Sequence, residues 1–366
     1  MKNLVAITRE RLETCPPIIS NLSILAKYDL NITLICGGCN DTTKAMLTEK
    51  GIDVKVVEYH YGNELFKLLK LWSSLKFRQR VVKLLKNVAP DVVIIEGQGA
   101  FKIIRSAVER YNYILYVLEL YGKHEKIIGK LIKKAAAVIM PEYNRAVIYQ
   151  TKFGMKKRPY VLPNKPYFNL TDNDIVNLNE KYKDLLKVFK EKKVVLYQGI
   201  IAPERDLTNY IKAVNELGDE YEIVLLGKDW GALQSFKDLG YHFVHIDFIT
   251  PPEYLIFTMN AYIGILTYDP MNLNCAYCAP NKLYEYSKYS LPMLGNDIPG
   301  LKYTISYHNM GAIVDECSAE SIKSGIRKIS ENYDTYSKNS RLFYEEQDNE
   351  KIIDGIVKDV AKELNL

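Results

Sequence analysis

The segment KVVLYQGIIAPERDL (193–207) shows most clearly how this chain is built. The apolar run at 193–199 predicts a buried strand that ends at Gly199, where glycine permits a tight turn off the sheet edge. A short loop leads to Arg205, which we expect to open a helix. Unpaired N–H groups at a helix start, together with a guanidinium, favour an anion such as a diphosphate. Taken alone, the segment also fits an ordinary strand-to-helix turn with a solvated arginine.

Short apolar strands alternate with helical stretches on both sides of this segment. Most strands are continuous apolar runs, which indicates parallel sheets covered by helices on both faces. The predicted strands are 3–7, 32–36, 54–59, 92–97, 114–120 and 136–140, then 193–199, 221–227, 242–247, 262–268, 291–296 and 312–315. The predicted fold is α/β, with two doubly wound Rossmann-like domains.

A polar stretch rich in Asn, Asp and Lys interrupts the alternation. We therefore predict an N-terminal domain at 1–165, a linker and connecting helix at 166–190, a C-terminal domain at 191–345 and a C-terminal helix at 346–366. The final helix carries an apolar stripe that must pack on one of the two domains, and the sequence leaves open which one. The stripe consists of Ile352, Ile353, Ile356, Val357, Val360 and Leu364.

Composition restricts the function classes. Of the 366 residues, 48% are apolar and 25% are charged, as in an ordinary globular protein of two domains. The net charge of +5 predicts no nucleic-acid partner, and the basic clusters at 67–86, 123–134 and 156–158 all fall in the N-terminal domain. A signal peptide or membrane span is not evident, so we expect a cytoplasmic protein with six reduced cysteines.

A second segment with chemical content is APNKLYEYSKYSLPMLGNDIPG (279–300). Pro280 and Asn281 suit a helix start, and Lys282 falls in the first turn, where a phosphate would be favoured. Glu285 follows three residues later and could accept hydrogen bonds from ribose hydroxyls. The alternative is a capped core helix with Glu285 on its surface.

In this order, the two segments resemble the C-terminal domain of GT-B glycosyltransferases, close to the GT4 group of bacterial polysaccharide enzymes. No single motif is strict, but the order and spacing of six pieces are specific, and the resemblance covers most of the chain. The six pieces are AAAVIMPEYNR (135–145), YVLPNKP (160–166), YQGIIAPERDL (197–207), VLLG (224–227), APNKLYEYSKYSLPMLG (279–295) and MGAIVD (310–315).

The resemblance implies two domains facing a cleft, with a nucleotide-sugar donor on the second domain and an acceptor on the first. It implies transfer of a sugar from a UDP- or GDP-linked donor to a hydroxyl of a glycan or lipid-linked acceptor, in cell-surface polysaccharide synthesis. The implied enzyme is retaining and needs neither a metal nor a further cofactor. The donor residues carried over are Arg205 and Gly199 at the diphosphate, Glu285 at the ribose, Gly227 beside the base, and Asn281 and Lys282 under the phosphates.

One position departs from the GT4 pattern. Many members carry a second glutamate eight residues before the ribose carboxylate, in contact with the donor sugar, and this chain has Tyr277 there. Two other functions stay open: a GT-B-fold nucleotide-sugar epimerase, which would use the same site without an acceptor, and a non-catalytic donor-binding subunit of a transferase complex, which Tyr277 favours.

Three residues of the first domain are candidates to steer or deprotonate an acceptor hydroxyl. Glu96, Glu119 and His124 lie at or near the ends of predicted strands, at the edge that should face the cleft. Glu119 is the first choice, and with His124 and Arg205 it makes up the predicted catalytic set. The alternative for each is an ordinary polar residue at a strand end.

Other motifs in the sequence point elsewhere. GQGAFK (97–102) has Lys102 where a dinucleotide fingerprint needs its third glycine. Asp172-Asn173-Asp174 spells a metal-binding DxD, but it lies in the polar linker and predicts a solvated turn. The pairs Cys36/Cys39 and Cys275/Cys278 could hold zinc only by joining two domains that must move.

The segment ELFKLLKLW (64–72) places Leu65, Leu68, Leu69 and Trp72 on one face of a helix. One interpretation is a helix resting on the anionic inner face of the cell membrane. The other is a core helix with a basic outer face.

Overall fold

The computed structural model describes residues 2–59, 67–120, 125–166 and 169–365. The strands are β1 (Asn3–Thr8), β2 (Asn31–Cys36), β3 (Ile52–Val56), β4 (Val92–Glu96), β5 (Asn112–Tyr116), β6 (Ala137–Met140), β7 (Tyr160–Val161), β8 (Lys193–Gln198), β9 (Tyr221–Leu226), β10 (Val244–Ile246), β11 (Ile263–Leu266), β12 (Met293–Asn296) and β13 (Gly311–Val314). Each predicted strand is present.

Helices follow most of these strands. They are α1 (Pro16–Leu25), α2 (Asp41–Glu49), α3 (Lys67–Val88), α4 (Gln98–Val108), α5 (Glu125–Ile132), α6 (Tyr143–Phe153), α7 (Asp172–Lys181), α8 (Lys183–Glu191), α9 (Thr208–Glu216), α10 (Leu233–Asp238), α11 (Leu255–Asn260), α12 (Leu273–Ala276), α13 (Asn281–Lys288), α14 (Pro299–Ile305), α15 (Ala319–Glu331), α16 (Tyr333–Glu346) and α17 (Asn349–Leu364). A short 3₁₀ helix spans Leu12–Thr14.

The chain divides into two compact units. Unit 1 contains Met1–Tyr167 and Asp348–Leu366, and unit 2 contains Phe168–Gln347. Within the described residues, the sheet of unit 1 has the order β3-β2-β1-β4-β5-β6-β7 and that of unit 2 the order β10-β9-β8-β11-β12-β13, with every pair parallel. Both orders reverse direction once, which is the doubly wound arrangement that the sequence predicted.

The C-terminal helix belongs to unit 1. The apolar stripe of α17 places Ile353, Ile356 and Val360 in the interior, and the helix contacts α1. Tyr160 donates a hydrogen bond to Asp359, and Lys157 forms an ion pair with Glu363. The stripe therefore covers the first sheet rather than the second.

The stretch predicted as a linker is largely ordered helix within unit 2. Leu178 of α7 and Leu186 and Phe189 of α8 are buried with β8, β9 and α11. The predicted solvated turn at Asp172–Asp174 is instead the start of α7. Thr171 and Asp174 form a capping box there, and hydrogen bonds from Thr171 hold the pKa of Asp174 below its usual value.

Helix α3 has two different faces. Phe77, Val81 and Leu85, which follow the segment 64–72 along the helix, are buried in the core of unit 1. The N-terminal half also exposes large apolar side chains, which are Leu69, Leu71, Trp72 and Leu75. Residues 64–66 of the segment ELFKLLKLW (64–72) lie outside the described part of the chain.

Candidate functional site

The carboxyl edge of the second sheet concentrates the predicted donor residues. Strand order reverses between β8 and β11, so the connections leaving these two neighbours run to opposite sides of the sheet. In doubly wound sheets this divergence opens a crevice where ligands bind. Gly199 lies directly after β8, and Tyr268 lies two residues after β11.

Two glycines make a close backbone approach at this edge. Gly199 and Gly227, which follow β8 and β9, have φ values of +141° and +149°. A Cβ atom on residue 227 would lie 1.8 Å from the carbonyl oxygen of Gly199. A Cβ atom on residue 199 would lie 2.9 Å from Lys282 Nζ and 3.6 Å from Arg205 Nη1. Glycine at both positions therefore leaves the backbone uncovered where two cationic side chains converge.

Arg205 lies in a turn, and the expectation that it opens a helix is wrong. Helix α9 begins only at Thr208, and the carboxylate of Asp206 accepts a hydrogen bond from the Thr208 N–H. An anion at that helix start would meet a carboxylate. The guanidinium of Arg205 instead lies 3.4 Å from the Tyr197 hydroxyl and 5.9 Å from the centre of the Tyr268 ring.

Helix α13 supplies the second cation. It begins at Asn281 after Pro280, whose side chain has no hydrogen-bond acceptor with which to cap the first turn. Lys282 extends its Nζ to 4.9 Å from the centre of the Tyr197 ring and 5.6 Å from that of Tyr268. The ammonium nitrogen is fully buried, and no described residue offers it a hydrogen-bond acceptor. Burial, with a smaller effect from Arg205, lowers the pKa of Lys282 to about 7.

Glu285 lies one turn further along α13 and is only 5% exposed, so the interpretation as a surface residue is wrong. Tyr254 donates a hydrogen bond of 2.7 Å to one carboxylate oxygen, and the Gln198 side-chain amide donates to the other. Gln198 in turn accepts a hydrogen bond of 2.7 Å from Thr258. Burial nevertheless raises the pKa of Glu285. The network fixes the direction of the carboxylate, and sequence reasoning did not find its three supporting residues.

Tyr277 ends the short helix α12 and is partly exposed. A Cβ atom on Gly300 would lie 2.7 Å from the Cys278 nitrogen and 3.0 Å from the Tyr277 carbonyl carbon. The first turn of α14 therefore packs directly on this backbone. The backbone is therefore fixed at the position where many GT4 enzymes carry a glutamate, but the side chain there is the phenol of Tyr277.

In unit 1, Glu119 follows β5 and has an ordered environment. Its side chain is 42% exposed and lies 3.6 Å from Nη1 of Arg145, which is itself 3% exposed. Arg145 also donates a 2.6 Å hydrogen bond to the Leu118 carbonyl, and Gln98 donates to the Glu119 carbonyl. Two buried side chains from α4 and α6 thus hold the loop that carries Glu119. His124 lies outside the described residues.

Glu96 does not lie at an open edge. It is 2% exposed, and one of its carboxylate oxygens has no hydrogen-bond partner among the described residues. It lines a cavity of about 40 Å³, together with Asn21 and apolar side chains of α17 and the sheet. Burial raises the pKa of Glu96 to about 8. These surroundings differ from those expected of a residue that meets an acceptor.

Two kinds of special site are absent from the described ranges. The chain has no group of three or more His, Cys, Asp or Glu side chains placed to hold a metal ion. None of the helices described is long and apolar enough to span a membrane.

Comparison with solved structures gives whole-chain matches. HepE from Anabaena, solved with UDP and glucose, aligns over 99% of this chain and 100% of its own, with a TM-score of 0.75 and 13% identity. Sucrose-phosphate synthase from Thermosynechococcus elongatus aligns over 100% and 99%, with a TM-score of 0.72 and 12% identity. WaaG, a glycosyltransferase of lipopolysaccharide biosynthesis, aligns over 99% of both chains, with a TM-score of 0.66 and 14% identity.

This chain has the GT-B fold. The matches extend across both units, as the resemblance of the sequence to GT4 enzymes led us to expect. No protein-family model matches the sequence, and no curated protein matches it either. The function must therefore be argued from the residues of the site.

Proposed function

We propose that the protein is a glycosyltransferase that moves a sugar from a nucleotide-sugar donor to a hydroxyl of a glycan or lipid-linked acceptor. The observation that carries the proposal is the convergence of Arg205 and Lys282 on the bare backbone of Gly199, at the reversal point of the second sheet. The Lys282 ammonium is buried, Arg205 is partly buried, and neither forms an ion pair with a described carboxylate, so the pair favours a ligand that brings negative charge. A diphosphate fits this requirement, and HepE, which shares the fold, was solved with UDP-glucose bound.

Each part of a nucleotide-sugar has a candidate partner. Arg205 and Lys282 would bind the diphosphate, and the carboxylate of Glu285, already oriented by Tyr254 and Gln198, would bind the ribose hydroxyls. Gly227 would lie beside the base. Asn281, at the uncapped start of α13, would offer its backbone N–H to the phosphates.

We propose a reaction without a metal, because Arg205 and Lys282 supply positive charge where the leaving diphosphate gains negative charge. By the GT4 resemblance, the stereochemistry would be retaining. The acceptor hydroxyl would lose its proton to the departing diphosphate oxygen, and Glu119 would orient the acceptor. A UDP- or GDP-linked donor follows from the same resemblance.

Contact with an anionic membrane is a further part of the proposal and rests on α3. Trp72 is 56% exposed, and the Lys76 ammonium lies 3.3 Å from the centre of its ring. Further along the helix, Arg80 and Lys83 line an open groove of about 550 Å³ beside β3, together with Lys44. An exposed apolar face continuous with basic residues is typical of helices that rest on anionic lipid.

The proposed donor site is tested by thermal unfolding with UDP, GDP, ADP, CMP and NAD on wild type, Arg205→Ala and Arg327→Ala. Arg327 is an exposed arginine on α15 and serves as the matched control. A ligand at about 100 times its dissociation constant stabilises the folded state by roughly 2.7 kcal/mol. We expect one nucleoside diphosphate to stabilise wild type and the control but not Arg205→Ala. An equal shift in all three proteins, or no shift with any nucleotide, would contradict the proposed site.

A further inference from the structure

The environment of Lys282 does not suit a permanent charge. Its ammonium nitrogen is buried, lacks a hydrogen-bond acceptor among the described residues and faces the rings of Tyr197 and Tyr268. An isolated buried ammonium is costly, and such groups lose their proton instead of remaining charged. In the ligand-free protein Lys282 is therefore largely neutral at slightly alkaline pH.

The charged and titratable groups around Lys282 come from several elements of unit 2. Arg205, in the loop after β8, opposes a second positive charge, whereas Glu285 on α13 favours it. Glu285 already accepts hydrogen bonds from Tyr254 and Gln198. Tyr197 and Tyr268 are phenols whose pKa values are raised by burial, so both stay neutral near pH 8. The thiol of Cys278, in the segment before α13, is the remaining titratable group that influences Lys282.

A diphosphate would change this balance. It would bring phosphate oxygens that accept a hydrogen bond from Nζ, and at least two negative charges that offset the repulsion from Arg205. Space for a close approach exists because residue 199 has no side chain. The ligand thus provides the interactions that a protonated Lys282 lacks in the free protein.

We propose that Lys282 gains a proton when a nucleoside diphosphate binds, so that donor binding and proton uptake at this residue are one coupled event. This inference rests on the proposed function, because it assigns the diphosphate to the same site. It goes further, because it states that Arg205 is charged in the free protein whereas Lys282 becomes charged only when the ligand binds. Donor affinity should therefore weaken as pH rises through and beyond 7.

The expected size of the effect follows from the pKa of about 7 for Lys282 in the free protein. At pH 8 about nine tenths of the molecules would have a neutral Lys282, so binding should take up about 0.9 proton. Affinity should fall close to tenfold between pH 8 and pH 9. The ligand does not obscure this signal, because the second pKa of a phosphate is about 6 and its ionisation is complete by pH 8.

The test is titration calorimetry of the full-length protein with UDP and with GDP at pH 8, in two buffers with different ionisation enthalpies. The dependence of the measured heat on the buffer gives the number of protons taken up. Lys282→Arg keeps a cation that never loses its proton, and we expect it to bind with less than about 0.2 proton taken up. Lys328→Arg, on the exposed side of α15, is the control and should match wild type.

Each outcome is decisive. Wild-type binding without proton uptake, or with an affinity independent of pH from 8 to 9, would overturn the inference while leaving the nucleotide site intact. Uptake that persists in Lys282→Arg, or in Lys282→Met if the arginine does not fit, would place the proton elsewhere and overturn it as well. Failure of wild type to bind either nucleotide would overturn the proposed function and this inference together.

Discussion

The carbonyl oxygen of Gly199 lies 1.8 Å from the position that a Cβ atom on residue 227 would occupy. Two connections at the carboxyl edge of the second sheet are therefore in direct backbone contact, with no room for a side chain at residue 227. The turn at Gly199 packs against Gly227 at the end of β9. The opposite side of the same turn faces Arg205 and Lys282. Any side chain at residue 227 would push the turn toward these cations.

The first prediction concerns this contact. Gly227→Ala should lower the free energy of unfolding by more than about 2 kcal/mol and abolish stabilisation by the nucleotide, because the added methyl overlaps a backbone oxygen. Gly218→Ala is the matched control: residue 218 has a φ of +97°, but a Cβ atom there would contact nothing within 4 Å. Chemical denaturation with and without nucleotide measures both effects. Similar losses in the two variants would show that backbone strain, and not the contact, is responsible.

The second prediction concerns the oriented carboxylate. If Glu285 binds ribose, wild type should bind UDP or GDP more tightly than the corresponding 2′-deoxynucleotide, by roughly tenfold for one hydrogen bond to a charged group. Tyr254→Phe removes the hydroxyl that holds one oxygen of Glu285 and should reduce this ratio while leaving the deoxynucleotide affinity nearly unchanged. Calorimetric titration with both ligands measures the ratio. An unchanged ratio in Tyr254→Phe and in Glu285→Gln would remove Glu285 from the ribose site.

The third prediction concerns the buried carboxyl of Glu96. Its pKa is about 8 in the folded protein, against an ordinary value of 4.5, so the unfolded chain releases the proton at lower pH than the folded chain does. The stability that the protonated carboxyl contributes is therefore fully present below about pH 4.5. It is lost as the pH rises toward 8, and above pH 8 the loss is complete. Relative to wild type, Glu96→Gln should gain about 3 kcal/mol in unfolding free energy between pH 5 and pH 8. Glu49→Gln, at an exposed position on α2, should track wild type. Parallel pH profiles for all three proteins would contradict the assignment.

The fourth prediction separates Arg145 from Glu119. Arg145 is a positioning residue in this structure, since it holds the Leu118 carbonyl and lies beside the Glu119 carboxylate. Arg145→Met should raise the acceptor KM with a smaller change in kcat, whereas donor affinity stays as in wild type. Glu119→Gln should show the same pattern if the carboxylate orients the acceptor. A loss of kcat by Glu119→Gln at unchanged KM would instead point to proton transfer by Glu119.

The fifth prediction concerns the exposed half of α3. The double variant Trp72→Glu/Leu75→Glu should lose binding to liposomes that contain anionic phospholipid, because it places charge on the apolar face. Leu342→Glu changes an exposed apolar residue of α16 and is the control for a general effect of added charge. Flotation with neutral and with anionic liposomes measures binding. An electrostatic membrane contact would be contradicted if wild type floated equally with neutral and anionic liposomes, or if it floated with neither.

The strands were predictable because most of them are continuous apolar runs between polar stretches, and burial on both faces of a parallel sheet requires that pattern. The position of Arg205 relative to a helix was not predictable from the sequence. Helix α9 starts later than the apolar spacing suggests, because Asp206 accepts the hydrogen bond from its first N–H. The orientation of Glu96 was equally hidden. In a strand with both faces buried, the sequence does not reveal which face a terminal residue points to.

The side chains that orient Glu285 could not be predicted from the local sequence pattern either. Gln198 and Glu285 are 87 residues apart, and Tyr254 and Glu285 are 31 apart, so only the packing of β8, α11 and α13 brings them together. The pairing of Lys282 with Gly199 and Arg205 was implied by a family resemblance and not by spacing. Its physical basis, a buried ammonium with no hydrogen-bond acceptor among the described residues, appears only in three dimensions.

The return of α17 to unit 1 has a consequence for how the protein is made. The ribosome completes the whole of unit 2 before it produces the helix that covers the first sheet. At about 5–20 residues per second, the interval lasts roughly ten seconds or more. During that time the apolar surface later occupied by Ile353, Ile356 and Val360 is uncovered, next to Glu96 in contact with water. Uncovered apolar surface of this kind is prone to aggregation, and the first sheet is covered only after α17 has left the ribosome.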